Sequence, residues 1–475
     1  MKKWCGRLVR ARRRLMSKSK LFLGVIWRRR DVLFLLLANI YIFAVAPSSW
    51  NYYDVRYFIE WSQITVTHGL FSVYALADKV SYPPLAVLLF VPFYLVARAI
   101  TSNLLLIRII VKLPLIAMFN LIYYVLLKYY GWKTAKYWLI NYGAYSTIFG
   151  YQFDLYTSLF LLLSIISIAR YKNPVLTGVF LALAILVKPL VVFVGFIPLI
   201  KYYIEKRLKD LFYYISAGLL TGLIIVSPFM MYNPMDFFMK VVMFHSDRLP
   251  QDLSVWAIPL YILRYNYMLL PSWEIWLWLP AMLIGVMAYL LIFYKNGKMD
   301  EISLVKAYAA IIIVCLITNK VGNLNYLTWV IPLLAILLSR GTLNSWGIKA
   351  LYIALPIVSM LLYPFTIFES AAIVHGQVFI AEDKKFYSAV WLIQESFLGS
   401  EAIVQQQISI GRAYLYSFMA ILYYYRWASS ILYVLIYNSM LAVILYRMYG
   451  LRRIELLTPR HKKPSKILLT NSTTP

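Results

Sequence analysis

The chain has 475 residues, of which 62% are hydrophobic and only 14% charged, and it carries 47 Lys+Arg against 19 Asp+Glu for a net charge of +28. That apolar excess excludes an ordinary water-soluble domain, and the low charge with 17% aromatics excludes a disordered chain. The apolar residues come in long runs, so the class is a polytopic membrane protein.

The positive charge sits at the two ends. Residues 1–30 hold twelve Lys/Arg and no acid, and the chain after Tyr446 holds seven more against Glu455. Basic flanks beside apolar spans are a topology signal and an attraction to anionic lipid rather than a nucleic-acid footprint. The expectation is that both ends lie in the cytoplasm and that no nucleic acid binds. The Arg-rich, acid-free start also has the look of a mitochondrial transit peptide, but topology alone accounts for both basic ends. Cys5 and Cys315 match neither a disulfide framework nor a metal spacing.

Taken in chain order, 31–47 is a first span. Residues 48–82 are polar enough for an outer loop. Within it 54–68 has helical spacing, with Tyr57, Trp61, Ile64 and His68 on one face and Gly69 as the stop, so a helix lying at the membrane surface is expected. Residues 83–97 either cross the membrane or form a second interfacial helix. The later basic clusters all fall on the cytoplasmic side if they do not cross. Spans then follow at 104–127, 137–150, 155–169 and 211–231.

Between the last two lies 175–200, interrupted by Lys188. A lysine at the bilayer centre costs about 2.5–3.5 kcal/mol, and Pro189 disfavours helical geometry at the residue before it. A turn at Lys188 with two short arms, 175–187 and 189–203, avoids both costs. A long outer loop, 232–272, precedes spans at 273–294, 302–318, 324–339 and 347–368. A second outer stretch, 369–412, and a final span near 427–446 complete an all-α transmembrane bundle of about twelve spans with interfacial helices in the first outer loop. The expected organisation is a basic segment 1–30, a transmembrane catalytic module 31–340, a C-terminal transmembrane region 341–448 and a basic tail 449–475.

This topology gathers polar residues from separate connections on one membrane face: Asp54 and Lys79, Gln152 and Asp154, Lys188, Arg248, and Lys320. Ionisable groups at span edges are costly unless paired or functional. Each also has a plain structural reading. Asp54 and Asp154 stand where helix caps are expected, Lys188 can snorkel, Arg248 can pair with Asp247 or Asp252, and Tyr82-Pro83-Pro84 can simply start a helix.

Asn51, Tyr52, Tyr53 and Asp54 directly after the first span, then His68-Gly69-Leu70, Tyr74 and Ser81-Tyr82-Pro83-Pro84-Leu85, resemble the first outer loop of GT-C glycosyltransferases. Gly150-Tyr151-Gln152-Phe153-Asp154 resembles a second element of that group. Asn173-Pro174 with Gly178 and Lys188-Pro189 resembles a third, and Asn319-Lys320-Val321-Gly322 with Tyr326, Trp329 and Pro332 a fourth. The order matches over about residues 31–340, most closely to enzymes that use dolichyl-phosphate mannose or glucose.

The resemblance implies a GT-C-like fold and inverting transfer of a hexose from a polyprenyl-phosphate carrier to a lipid-linked or protein glycan acceptor. Asp54 would be the general base. Lys188 and Arg248, with Arg56, Lys79 and Lys320 behind them, would meet the phosphate, while Gln152, Asp154 and Tyr82 would line the substrate site. The donor is a substrate and no cofactor is implied. No Asp-x-Asp pair is present, so no metal is assigned. The site would face the exterior of a plasma membrane or the lumen of the endoplasmic reticulum. The rival classes are a flippase or transporter without chemistry and a membrane scaffold.

Overall fold

The computed structural model describes residues 30–263, 269–271, 273–297, 299–374 and 426–449. The expected interfacial segment 1–30, apart from its last residue, the tail from 450, and His375 with most of 369–412 lie outside the described residues.

The order is α1 (Arg30–Val45), α2 (Tyr52–His68), α3 (Pro84–Ile100), α4 (Leu104–Tyr130), α5 (Trp132–Ile140), α6 (Tyr142–Phe149), α7 (Asp154–Ala169), α8 (Pro174–Val187), α9 (Phe196–Ile204), α10 (Leu208–Tyr232), α11 (Glu274–Asn296), α12 (Glu301–Thr318), α13 (Ile331–Ser339), α14 (Trp346–Val374) and α15 (Arg426–Tyr449). The intervening segments are short helical turns, plus a two-residue parallel bridge between β1 (Gln251–Asp252) and β2 (Val321–Gly322). The fold is an all-α polytopic bundle.

The bundle is apolar both inside and out. Helices α7, α12 and α13 are buried along nearly their whole length, whereas α1, α10 and α11 turn Leu36, Ile40, Leu219, Leu223 and Ile284 outward. A continuous belt of exposed aliphatic side chains is what lipid, not water, covers. Among the described residues five helices are long and apolar enough to cross a membrane, at 104–130, 208–232, 276–296, 301–318 and 427–449. The chain is an integral membrane protein. The expected count of about twelve spans is not reached by these five; the other apolar helices among the described residues are shorter or broken.

Each break has a local cause. The expected span 137–150 is two helices, because the Asn141 side chain accepts from the Gly143 N–H and caps α6 while its amide donates to the Tyr352 carbonyl. The expected span 324–339 begins as a 3₁₀ turn, Leu324–Trp329, capped by Asn323, and becomes α-helical only at Ile331, where Pro332 suits a first helical turn. Helix α14 runs on to Val374, past the expected end at 368. In α2 the buried face is Val55, Phe58, Trp61 and Ser62 rather than the expected row, so His68 is exposed and Tyr57 sits at the edge. The reason is an aromatic cluster: the Phe58 ring lies 5.3 Å from Phe90 and 5.2 Å from Phe153.

The chain does reverse at Lys188. This residue is extended (φ −139°, ψ 101°), and Pro189 opens a 3₁₀ turn, Pro189–Gly195. The returning arm reaches the start of α8 again, where Arg207 donates to the Lys172 carbonyl at 3.5 Å. Lys188 is therefore the tip of a hairpin whose two arms are α8 and the segment through α9. Helix α10 clamps the hairpin. Tyr214 donates to the Gly195 carbonyl at 3.0 Å, and a Cβ on Gly178 would stand 2.3 Å from the Tyr214 carbonyl oxygen. On the other side, Asn39 and Asn120 exchange two amide hydrogen bonds of 2.9 Å between α1 and α4, an interhelical contact worth about 0.6–2 kcal/mol in a membrane.

Gly178→Ala should force α8 and α10 apart and cost about 1–3 kcal/mol, as overpacking does. Thermal unfolding of the detergent-solubilised variant should show a lower midpoint than Gly222→Ala, whose added Cβ meets nothing within 4 Å.

Candidate functional site

Asp54 lies in the first turn of α2, yet it does not cap it. The N-cap position is Asn51, which makes no side-chain cap bond. Instead one carboxylate oxygen of Asp54, Oδ2, accepts from the Asn51 amide at 2.9 Å and from the Gln152 amide at 2.7 Å. The other, Oδ1, has no hydrogen-bond partner among the described residues. Two donors on one oxygen fix the plane of the carboxylate and leave its second oxygen able to take a proton.

Asp154 opens α7 and is fully buried, and it too does something other than capping. Its Oδ1 accepts from the Trp329 indole at 2.7 Å, and its Oδ2 lies 3.4 Å from the Lys188 ammonium. Lys188 is also held between two rings, 4.8 Å from the centroid of Tyr82 and 5.0 Å from that of Tyr326. Tyr326 stacks on Trp329 with centroids 4.5 Å apart. A desolvated cation between aromatic faces gains on the order of 2 kcal/mol. The carboxylate, the indole and the two rings together make a fixed seat for one ammonium at the hairpin tip. Asp54 is close enough for its charge to act on Lys188.

The long connection after α10 supplies the other cations. The bridge of β1 and β2, with Gln251 N–H donating to the Lys320 carbonyl at 2.9 Å, sets Arg248 and Lys320 near one another. Their approach requires Gly322, because a Cβ there would lie 2.3 Å from the Leu253 carbonyl carbon and the Ser254 nitrogen. Arg248 donates through Nε to Gln251 Oε1 at 2.8 Å, and Lys320 lies 5.7 Å and 5.5 Å from the ring centroids of Trp276 and Trp278. The same connection straps down the first loop: Lys240 donates to the Ala77 carbonyl at 2.5 Å and His245 Nε2–H to the Ser81 carbonyl at 2.8 Å.

His245 feels Arg248, Lys188 and Lys320 at once. Burial pushes its pKa down to about 4; the Ser81 bond opposes that shift and the three cations add to it, each by less, so the ring is neutral at pH 7. Lys79 lies over the Tyr57 ring at 5.0 Å. Burial lowers its ammonium to about 8; Asp54 opposes that shift, and Arg248 and Arg56 add to it.

The structure thus brings together Asp54, Gln152, Asp154, Lys188 and Tyr82, with Lys79, Arg248 and Lys320 around them. Arg56 stays at the exposed rim, its Nη2 donating to the Tyr57 hydroxyl at 2.7 Å. Among the described residues no three His, Cys, Asp or Glu side chains converge on a point that could hold a metal. Sequence reasoning placed Asn51, Tyr326 and Trp329 inside motifs without giving them work, and gave His245 none. The three-residue spacing of Asn51 and Asp54 across a helix start was the available signal for the first; nothing local pointed to the others.

Next to the hairpin tip an apolar groove of about 1140 Å³ runs between α8, the Pro189–Gly195 turn and α10, lined by residues such as Leu186, Val192, Leu219, Leu223 and Met230. It faces the lipid side.

The family model Glycosyltransferase family 87 matches residues 81–319. That range holds Tyr82, Gln152, Asp154, Lys188 and Arg248 and stops short of Asp54 and Lys320. Among solved structures the chain is similar to ArnT from Cupriavidus metallidurans in the apo state, at 15% identity and a TM-score of 0.47 over 88% of this chain and 75% of that one. The same protein bound to undecaprenyl phosphate gives 15% identity and a TM-score of 0.45 over 88% and 77%. No curated protein sequence matches the chain.

Removing either partner of the Asp154–Lys188 pair strands a buried charge, which costs about 3–5 kcal/mol. Asp154→Ala should therefore lower the thermal midpoint strongly. The double variant Asp154→Ala with Lys188→Met should recover most of that loss, and equal loss in the single and the double variant would show that the pair is not the stabilising unit.

Proposed function

Because the chain belongs to glycosyltransferase family 87, we propose that this GT-C-type membrane enzyme moves a hexose, mannose or glucose, from a polyprenyl-phosphate carrier to a hydroxyl of a lipid-linked or protein glycan. The reaction would take place on the extracytoplasmic face, with both chain ends in the cytoplasm. The observation that carries the reading is the Asp54 carboxylate, clamped on one oxygen by Asn51 and Gln152 and standing within electrostatic reach of Lys188 and Lys79.

In the proposed reaction Asp54 Oδ1 takes the proton of the acceptor hydroxyl as that oxygen attacks the anomeric carbon from the side opposite the phosphate. The bond from the anomeric carbon to the phosphate oxygen breaks, and inversion follows. The leaving polyprenyl phosphate gains a charge, which Lys188, Arg248, Lys320 and Lys79 are there to meet. Preorganised cations at a developing charge are commonly the largest catalytic contribution. Asp154 does not touch the donor in this scheme; it holds Lys188 in place. The apolar groove beside Leu186 suits the prenyl chain, so that the lipid lies along α8 and α10 while its phosphate reaches the hairpin tip. ArnT with undecaprenyl phosphate offers a parallel of substrate class.

Asp54→Asn keeps both amide contacts sterically possible but removes the base. Purified protein incubated with mannose and glucose carriers and lipid-extracted acceptors, read by mass spectrometry, should lose transfer by about 10²–10⁴-fold. Full transfer by a folded Asp54→Asn protein would end the assignment, and carrier movement across vesicles without any transfer would place the protein among flippases.

Lys79 is charged below pH 8 and neutral above it, because its folded pKa is lowered to about 8. If its charge supports the leaving phosphate, kcat/KM falls as the pH rises through about 8. Lys79→Arg, which stays protonated, should remove that alkaline limb.

A further inference from the structure

Helix α4 carries a lysine that the proposed reaction leaves without a role. Lys112 has no exposed surface, and among the described residues no carboxylate meets it. Its ammonium instead donates to the Ala46 carbonyl at 2.9 Å, to the Ser49 carbonyl in a very short bond, to Ser49 Oγ at 2.9 Å and to the Phe149 carbonyl at 3.0 Å. A cation buried in a membrane bundle without a counter-ion is expensive and is kept where it does something.

What Lys112 joins is informative. Ala46 and Ser49 lie on the segment leaving α1, five and two residues before Asn51. Phe149 ends α6, three residues before Gln152. Asn51 and Gln152 are the two donors that hold Asp54 Oδ2. The segments meet directly as well, since a Cβ built on Gly150 would stand 3.9 Å from the Asn51 Cβ. The turn that delivers Gln152 is strained: Tyr151 is a non-glycine residue at φ +50°, a conformation that persists only when its surroundings over-determine it. The Tyr151 ring packs against Phe58, Phe90 and Phe153, and Lys112 holds the start of the same turn through the Phe149 carbonyl.

We infer that Lys112 is a positioning residue for Asp54: its ammonium ties the loop bearing Asn51 to the turn bearing Gln152, so that the two donors close on the carboxylate. It touches no group assigned to the donor phosphate, which is met by residues of other elements. Losing it should misplace the base and leave carrier binding intact. This inference rests on the assignment of Asp54 as the base.

Three measurements test it. First, Lys112→Met should lower kcat about 100-fold, the scale of a misplacement of about 1 Å, with the KM for the carrier within about twofold. Lys112→Gln, which retains two N–H donors, should recover part of the loss. Second, adding Lys112→Met to Gln152→Ala should cost little further, because both act on one contact.

Third, Asn51→Cys with Gly150→Cys, in a chain carrying Cys5→Ser, should form a disulfide readily, since its Cβ atoms fall at bonding separation. Lys112→Met should slow that cross-link. An unchanged kcat, a loss that multiplies in full with that of Gln152→Ala, or an unchanged cross-linking rate overturns the inference. Should Lys112→Met not fold, Lys112→Gln carries the same three readouts. If the unaltered protein transfers no sugar, the functional reading has failed on its own account, and the cross-link still decides whether Lys112 holds the two segments together.

Discussion

The structure depends on one constraint, the placement of the Lys188 ammonium inside a membrane bundle. A charge there is tolerated only with partners that replace water. The fold provides them from three distant parts of the chain: the Asp154 carboxylate from the start of α7, the Tyr82 ring from the first loop and the Tyr326 ring from the turn before α13. Satisfying one cation thereby fixes the mutual position of three segments. Trp329 closes the arrangement by donating to the second oxygen of Asp154 and stacking under Tyr326.

From this point the broken helices make sense. An unbroken helix across the bilayer hides its backbone and offers only side chains at the flank. A hairpin tip or a 3₁₀ start places backbone and side chains at the end of an element, facing a cavity. Irregular backbone at membrane depth is viable only where protein surrounds it or a cavity receives it. The breaks at Asn141 and at Lys188, and the 3₁₀ start at Leu324–Trp329, all belong to elements packed within the described core. The break at Lys188 and the 3₁₀ start at Leu324–Trp329 bring Lys188, Tyr326 and Trp329 to one point, and long lipid-facing helices such as α10 and α11 carry the remaining thickness.

The strap after α10 plays the complementary part. Its bonds from Lys240 and His245 to carbonyls of the first loop tie the two connections together beside the site. The loop is held from beneath as well, by Trp61 donating to the Lys79 carbonyl and Tyr74 to that of Tyr82. Lys188 on the hairpin tip, and Arg248 and Lys320 on the two sides of the β1–β2 bridge, stand around a neutral histidine. Such a set favours an incoming anion.

The sequence by itself determined the membrane class, the lipid-facing runs, the helix ending at Gly69 and the reversal at Lys188-Pro189. Each follows from local chemistry: apolar run length, glycine at positive φ, a lysine that cannot lie in lipid and a proline that cannot continue a helix. The sequence also marked Asp54, Gln152, Asp154 and Lys188 as residues of one face.

Which of them touch was decided only by tertiary structure. Glutamine at 152 meets aspartate at 54 where Phe58 also packs on Phe153, and lysine at 188 meets aspartate at 154 at the tip of the hairpin that α10 clamps. Asn141 and Asn323 look like ordinary polar residues until their side chains are seen to cap new helices. Lys112 reads as one more ambiguous charge until the carbonyls it gathers are known. Period and composition report on neighbours in the chain, whereas these contacts join residues tens to hundreds of positions apart, where no local pattern records the pairing.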